Sequence, residues 1–170
     1  MIKMTRLLLF VAISVCMAAV STDADARKVV SSPGVDRGTI VIKTSKRRLY
    51  LGLGNGKAMS YRIGVGRAGR QWTGQRRISA KTIRPAWRPT ADIRRDKPNI
   101  ASVIPGGAPN NPMGAAALLI SGSGQYAIHG TNRPGSIGGY VSYGCIRMHN
   151  KDVLDLYSRV RIGTRVIVTK

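Results

Sequence analysis

The chain has no glutamate. Its seven acidic residues are all aspartate, against 28 lysines and arginines, and the formal net charge is +21. That excludes roles built on an acidic surface, and it attracts polyanions: nucleic acid, anionic lipid headgroups or an anionic wall polymer. Long hydrophobic runs are also scarce. The single apolar run, Leu7 to Val20, is too short to span a bilayer. It follows Lys3 and Arg6 and precedes Ala24-Asp25-Ala26. Basic residues, an apolar stretch and then small residues make an export signal over 1–26, with cleavage expected after Ala26. Val15 is not small, which argues against lipidation at Cys16. Loss of 1–26 removes Lys3, Arg6, Asp23 and Asp25, so the charge stays at +21. A protein exported to the periplasm or cell envelope is not expected to meet nucleic acid. Its basic face then points to the anionic wall or membrane surface, or to solvent with no specific partner; composition does not separate these.

Cysteine is nearly absent too. With Cys16 gone, Cys145 has no intramolecular partner, although an oxidising compartment favours disulfides. Such a thiol is either buried or used. Carboxylates are missing where a triad would want one: none lies between Asp96 and Asp152.

What remains is the size of one domain over 39–170, behind a polar, mobile leader over 27–38. Thr39 to Lys43 is rich in β-formers, and Arg48 to Leu53 alternates polar and apolar as a half-buried strand does. Gly54-Asn55-Gly56 signals a turn before a third strand, Ala58 to Val65. Residues 66–111 have weak periodicity and read as a long excursion. It carries Trp72 and Trp87, a strand near Arg77 to Lys81 and a short helix near Ala91 to Arg95. A loop this long is a lid, a binding wall or a solvated insertion. Strands return at Ala115 to Ser121 and at Tyr126 to His129. A helix begins at Asn150, with Asn150 as its cap, Asp152 in its first turn and Val153, Leu154, Tyr157 and Val160 inward. Gly163 stops it before a last strand, Thr164 to Thr169. The sum is a mostly β domain with one clear helix.

Chemistry concentrates at Ile128-His129-Gly130-Thr131 and Ser142-Tyr143-Gly144-Cys145-Ile146-Arg147. A strand, a loop and a return can set His129 beside Cys145. An imidazole can take the thiol's proton, and Arg147 supplies positive field or a bidentate hold on a carboxylate. Gly144 lets a carbonyl approach the main chain, making the N–H groups of Gly144 and Cys145 candidate oxyanion donors. With no carboxylate nearby, a main-chain carbonyl near Gly130, or the Asn132 amide, is left to orient the ring. Two other readings stay open: an inert buried cysteine with a core histidine, and a zinc site from His129, Cys145 and His149.

The stretch from His129 to Asn150 resembles the L,D-transpeptidase catalytic domain, the YkuD or ErfK/YbiS/YcfS/YnhG family. That family carries His-Gly followed by Ser/Thr-x-Gly-Cys-hydrophobic-Arg, which Ser142 to Arg147 fits at every fixed position. Many members have His, Lys or Ser where this chain has Tyr143. The resemblance implies a β-sandwich-like fold and no cofactor. It implies that Cys145 attacks the bond after the L-centre of diaminopimelate in a peptidoglycan stem tetrapeptide, releasing D-alanine and leaving a thioester. An amine then resolves the thioester, with His129 as base and then acid. Gly130, Ser142, Tyr143, Gly144 and Arg147 fall where the oxyanion or substrate is held. A thiol hydrolase that uses water as acceptor, and a non-catalytic basic wall-binding module, are the alternatives.

Overall fold

The computed structural model describes residues 27–122 and 126–170. The export signal expected over 1–26 therefore lies outside the described residues. In chain order the strands are β1 (Lys28–Ser31), β2 (Ile40–Lys43), β3 (Arg48–Gly54), β4 (Lys57–Arg62), β5 (Val65–Gly66) and β6 (Gly74–Ile83). After the helix α1 (Ala91–Asp96) come β7 (Ala116–Ile120), β8 (Ala127–His129), β9 (Tyr140–Ser142) and β10 (Ile146–Arg147). The helix α2 (Asn150–Arg159) and β11 (Arg165–Thr169) close the chain.

Nine strands form one mixed sheet in the order β1-β4-β3-β2-β11-β6-β7-β8-β10, while β5 and β9 pair separately. The sheet turns its corner at β6. The first half of β6 pairs with β11 and the second half with β7, with a register shift between Ile78 and Ala80. A strand that serves two sheet faces through an irregularity is how orthogonal sandwiches are closed. Both halves then face one core. Ile40, Ile42, Leu49 and Val166 come from one side, Leu118 and Ile128 from the other, and Val153 and Leu156 of α2 pack among them. A mostly β, sandwich-like fold is what the sequence predicts.

Three expectations need correction. The segment 27–38 is not simply a mobile leader: Lys28–Ser31 is β1, paired antiparallel with β4. A four-residue strand has too little pattern to be read alone, and here an existing sheet edge supplies its hydrogen bonds. Leu154 is 42% exposed and Leu156 is buried instead, because the inward stripe runs through Val153, Leu156 and Val160. Asn150 does not cap α2. His149 holds that position without a side-chain cap, and the Asn150 carboxamide is engaged elsewhere.

The far end of α2 is held by a residue of β6. Lys81 Nζ donates to the carbonyls of Tyr157 (2.6 Å) and Val160 (2.5 Å) and lies 4.1 Å from the Tyr157 ring centroid. An ammonium at a helix C-terminus satisfies orphan carbonyls and opposes the negative end of the dipole. This fixes α2 against the sheet directly behind the strands that carry the chemistry.

Candidate active site

The link between β9 and β10 is a tight elbow at residues 143–145, braced from within. Ser142 Oγ donates to the Cys145 carbonyl (2.6 Å) and accepts the Gly144 N–H (3.1 Å). Gly144 has φ +119, a conformation that suits glycine, and a Cβ there would lie 2.4 Å from a Tyr126 ring carbon. Its carbonyl accepts the Trp72 indole N–H (3.0 Å), and Trp72 stacks on Tyr126 with centroids 5.2 Å apart. Two aromatic rings thus clamp the residue before the thiol. These bonds correct two expectations. The Gly144 N–H is taken by Ser142 Oγ and is no ready oxyanion donor. Ser142, 2% exposed, braces the elbow and lines neither of the chambers described below.

The partner of Cys145 follows from strand register. β10 pairs parallel with β8, Ile146 opposite Ile128 and Arg147 opposite His129. Side chains alternate across a strand. Ile128 and Ile146 enter the core. Ala127, His129, Cys145 and Arg147 therefore share the other face. Ala127 and Cys145 line one chamber together, as this requires. His129 lies one strand over from Cys145 and two residues along, on the same strand face.

His129 is 4% exposed. Its Nδ1 lies 2.6 Å from the Gly130 carbonyl. A carbonyl only accepts, so Nδ1 carries the hydrogen and the lone pair belongs to Nε2. Burial outweighs this bond and the Arg147 charge adds to it, bringing the imidazole pKa down to about 4. Burial also pushes the Cys145 thiol up, against the lowering by Arg147 and by a main-chain bond at Ala127. Both shifts favour the neutral forms, thiol and imidazole, over thiolate and imidazolium. Gly130 belongs to this support rather than to a substrate surface: its N–H donates to the Ala116 carbonyl (3.0 Å), and a Cβ would meet Asn150 Oδ1 at 2.2 Å.

Asn150 is the residue that sequence reasoning misread. Its Oδ1 accepts the N–H groups of Ala115 and Thr131, both at 3.0 Å, tying the start of β7 to the loop after His129. Replacing Asn150 by alanine strands both donors. We expect a loss of about 2 kcal/mol in urea unfolding, together with slower chemistry as the Gly130 carbonyl loosens its hold on the ring.

Cys145 is partly exposed in a chamber of about 200 Å³, walled by Trp87, Ile93, Met113, Leu119, Tyr126 and Tyr143 among others. A second chamber of about 150 Å³ adjoins it and contains Arg147, Lys97 and Arg133. Trp87, Ile93 and Tyr143 line both and form the partition. The excursion thus forms a wall of both chambers. Tyr143 is fixed there: its hydroxyl donates to Asp96 (2.7 Å), Asp96 accepts from Arg67 (2.7 Å), and the Arg67 guanidinium lies 4.1 Å over the Tyr143 ring. Arg70 and Arg95 pair with Asp92 on the same short helix. Tyr143 lines both chambers and Arg147 the second. His149 starts α2, and among the described residues no three His, Cys or Asp side chains gather to hold a metal, so the zinc constellation is not assembled. Sequence reasoning noted Trp72 and Trp87 without giving them a task. Their only signal was two tryptophans in a chain with few aromatic residues.

Cys145 opens on one chamber of the groove and Arg147 on the other, with His129 buried on the same strand face, an arrangement that fits the thiol acyl-transfer class. Residues 37–168 match the L,D-transpeptidase catalytic domain, YkuD. The chain belongs to that family. Bacillus licheniformis YkuD, which carries an L,D-transpeptidase name, is 38% identical over 144 residues, 82% of each chain. The probable L,D-transpeptidase YbiS of Escherichia coli K12 is 39% identical over 136 residues, covering 75% of this chain and 43% of that one. The chain thus spans less than half the length of several curated relatives it matches. An L,D-transpeptidase from Mycobacterium smegmatis shares the fold at TM-score 0.61 and 17% identity, over 78% of this chain and 58% of that one. A Brucella melitensis protein named as a probable carnitine operon oxidoreductase matches at TM-score 0.57 and 39% identity, over 84% and 92%. This chain does contain Gly64-x-Gly66-x-x-Gly69. In a dinucleotide site those glycines open a helix after a strand, whereas here β6 follows, so the spacing lends that name no support.

Proposed function

We propose that the chain is an exported L,D-transpeptidase of the periplasm or cell envelope, acting on peptidoglycan stem peptides with Cys145 as nucleophile and His129 as base. Nε2 of the neutral imidazole takes the thiol proton as sulfur attacks the carbonyl of the diaminopimelate L-centre. The negative oxygen that forms is met by N–H groups of the elbow, those of Tyr143 and Cys145, in place of the occupied Gly144 N–H. The imidazolium returns its proton to the leaving nitrogen, the C–N bond breaks, D-alanine departs and a thioester remains. An amine attacks the thioester, His129 takes its extra proton, and the thiol is restored. Apolar walls at Trp87, Ile93 and Met113 keep water scarce and favour an amine over hydrolysis.

The observation that carries this reading is the register of β10 on β8, with Nδ1 of His129 committed to the Gly130 carbonyl. Intact-mass spectrometry after incubation with a wall tetrapeptide or a carbapenem tests it. The expected result is a single acyl adduct on Cys145, released by an added amine to a cross-linked product. Binding to sacculi with no adduct would leave only the wall-binding alternative, and release chiefly to water would mark a carboxypeptidase.

A further inference from the structure

We infer that Trp72 is a positioning residue for acyl transfer: its indole N–H fixes the peptide plane that carries the Cys145 N–H, one of the donors that meet the negative oxygen. This rests on the acyl-transfer reading above.

The peptide just before the thiol has unusual freedom, because Gly144 has no Cβ to restrict its rotation. Ser142 holds the planes on either side of it. Its Oγ accepts the Gly144 N–H at 3.1 Å and donates to the Cys145 carbonyl at 2.6 Å. The middle plane, Gly144–Cys145, is held from elsewhere: its carbonyl accepts the Trp72 indole N–H at 3.0 Å, from 72 positions away in the chain. Among the described residues no peptide bond is cis. In a trans peptide C=O and N–H point in opposite directions. Tying the carbonyl to Trp72 therefore turns the Cys145 N–H away from it. Trp72 lines neither chamber, whereas Tyr126, stacked on it with planes 5° apart, lines the one that holds the thiol. The carbonyl is thus drawn behind the chamber wall. A plane turned over at Gly144 would set a carbonyl where the donor belongs, beside a developing negative charge. A donor on the carbonyl also polarises the peptide and strengthens its N–H.

The indole is itself placed by a segment that follows the elbow residue by residue. After β5, the Arg67 N–H donates to the Ser142 carbonyl at 3.0 Å. The Arg67 and Arg70 guanidiniums lie 4.1 and 5.8 Å from the Tyr143 ring centroid. Trp72 then reaches Gly144. The same two arginines pair with Asp96 and Asp92 of α1, so the segment is tied on both sides. A stacked tryptophan has one polar atom, and a buried indole N–H seeks a partner. The stack on Tyr126 needs only an aromatic ring. The N–H is the part of Trp72 that the elbow uses, and phenylalanine keeps the ring without it.

Trp72→Phe separates the two contributions. Acylation of Cys145 by a wall tetrapeptide is followed by intact mass at several peptide concentrations. The maximal rate should fall on the order of 10- to 100-fold, part of what one oxyanion donor contributes. The half-saturating concentration should change by about twofold or less, because the charge on oxygen exists only in the transition state. Alkylation of the same thiol by iodoacetamide builds no oxyanion, so its rate should stay within about twofold of that of the unaltered protein. Unchanged alkylation also shows that the thiol and its elbow are in place. Should phenylalanine loosen the fold, the benzothiophene analogue of tryptophan at position 72 keeps the shape with sulfur in place of the N–H, and the same pattern is expected. Acylation at the unaltered rate, or acylation and alkylation falling together in the analogue protein, would overturn the positioning role and leave the acyl-transfer reading standing. If the unaltered protein is not acylated at Cys145, that reading falls and takes the role of Trp72 with it.

Discussion

Cys145→Ala protein gains no mass with tetrapeptide or carbapenem and turns over at background, a loss of roughly 10⁴-fold or more. The reason is chemical rather than structural. No other cysteine lies among the described residues, and the Ser142 and Thr131 hydroxyls near the pair are both buried. Serine at 145 should fail too, because the imidazole is too weak a base for a hydroxyl: its conjugate acid has a pKa of about 4. The fold should survive. The braces of the elbow are main-chain atoms and the Ser142 side chain, and all remain in the alanine protein. Melting should shift by only a few degrees, in line with the loss of one small, partly exposed side chain. The same variant separates catalysis from the basic surface. Salt-sensitive binding to sacculi should persist in it, since the +21 charge is unchanged. Turnover retained by the alanine protein would mean that another group is the nucleophile.

How much of this was legible beforehand follows from where each signal is stored. β3 alternates, so its position and inward residues, Leu49 and Leu51, could be read directly. α2 announced its start, but it ends at Arg159 with Val160 as its C-cap, short of the stop expected at Gly163. The thiol and imidazole were visible because their residue types and glycine neighbours are unusual in so short a stretch. The rest depends on long-range partners. β1 is strand because β4 offers it an edge. β6 runs to ten residues, beyond the stretch expected, because most of it is exposed and lacks an apolar rhythm. Asn150 looked like a cap by its place before a helix, but two main-chain N–H groups from distant segments claim its side chain. The chambers could not be read at all. Their walls come from the aperiodic excursion, the loop after His129 and the elbow, and only the folded chain sets Trp87, Lys97, Arg133 and Tyr143 around one groove.

Replacing His129 by glutamine should cost roughly 10²- to 10⁴-fold in acylation rate, and the pH dependence tells more than the size. In the unaltered protein the reactive form has a neutral ring and an intact thiol. The ring protonates only near pH 4, and the thiol ionises above its ordinary range. The rate should therefore be level from about pH 5 to above 8 and fall tenfold per unit below about 4. In the glutamine protein solvent must take the proton, so the rate should climb steadily with pH over that interval. An acid limb near 6.5, or fast alkylation by iodoacetamide at pH 5, would instead reveal a preformed ion pair. Stability carries the same signature. The unfolded imidazole protonates near 6.5 and the folded one near 4. Between those values the unfolded chain holds the extra proton, so stability is full above about 6.5 and drains away as pH falls toward 4. This amounts to about 3 kcal/mol. Asp152, whose carboxyl is pushed up by burial, works in the opposite direction over part of the window, and the three lowered aspartates, Asp92, Asp96 and Asp155, lose their contributions only further down. All four are common to both proteins. The difference between wild-type and His129→Gln unfolding energies, measured in urea at pH 7 and 4.5, isolates the imidazole. A difference that does not change with pH would show that the ring titrates in the folded protein as it does in water, and a ring in that state could not be the buried neutral base.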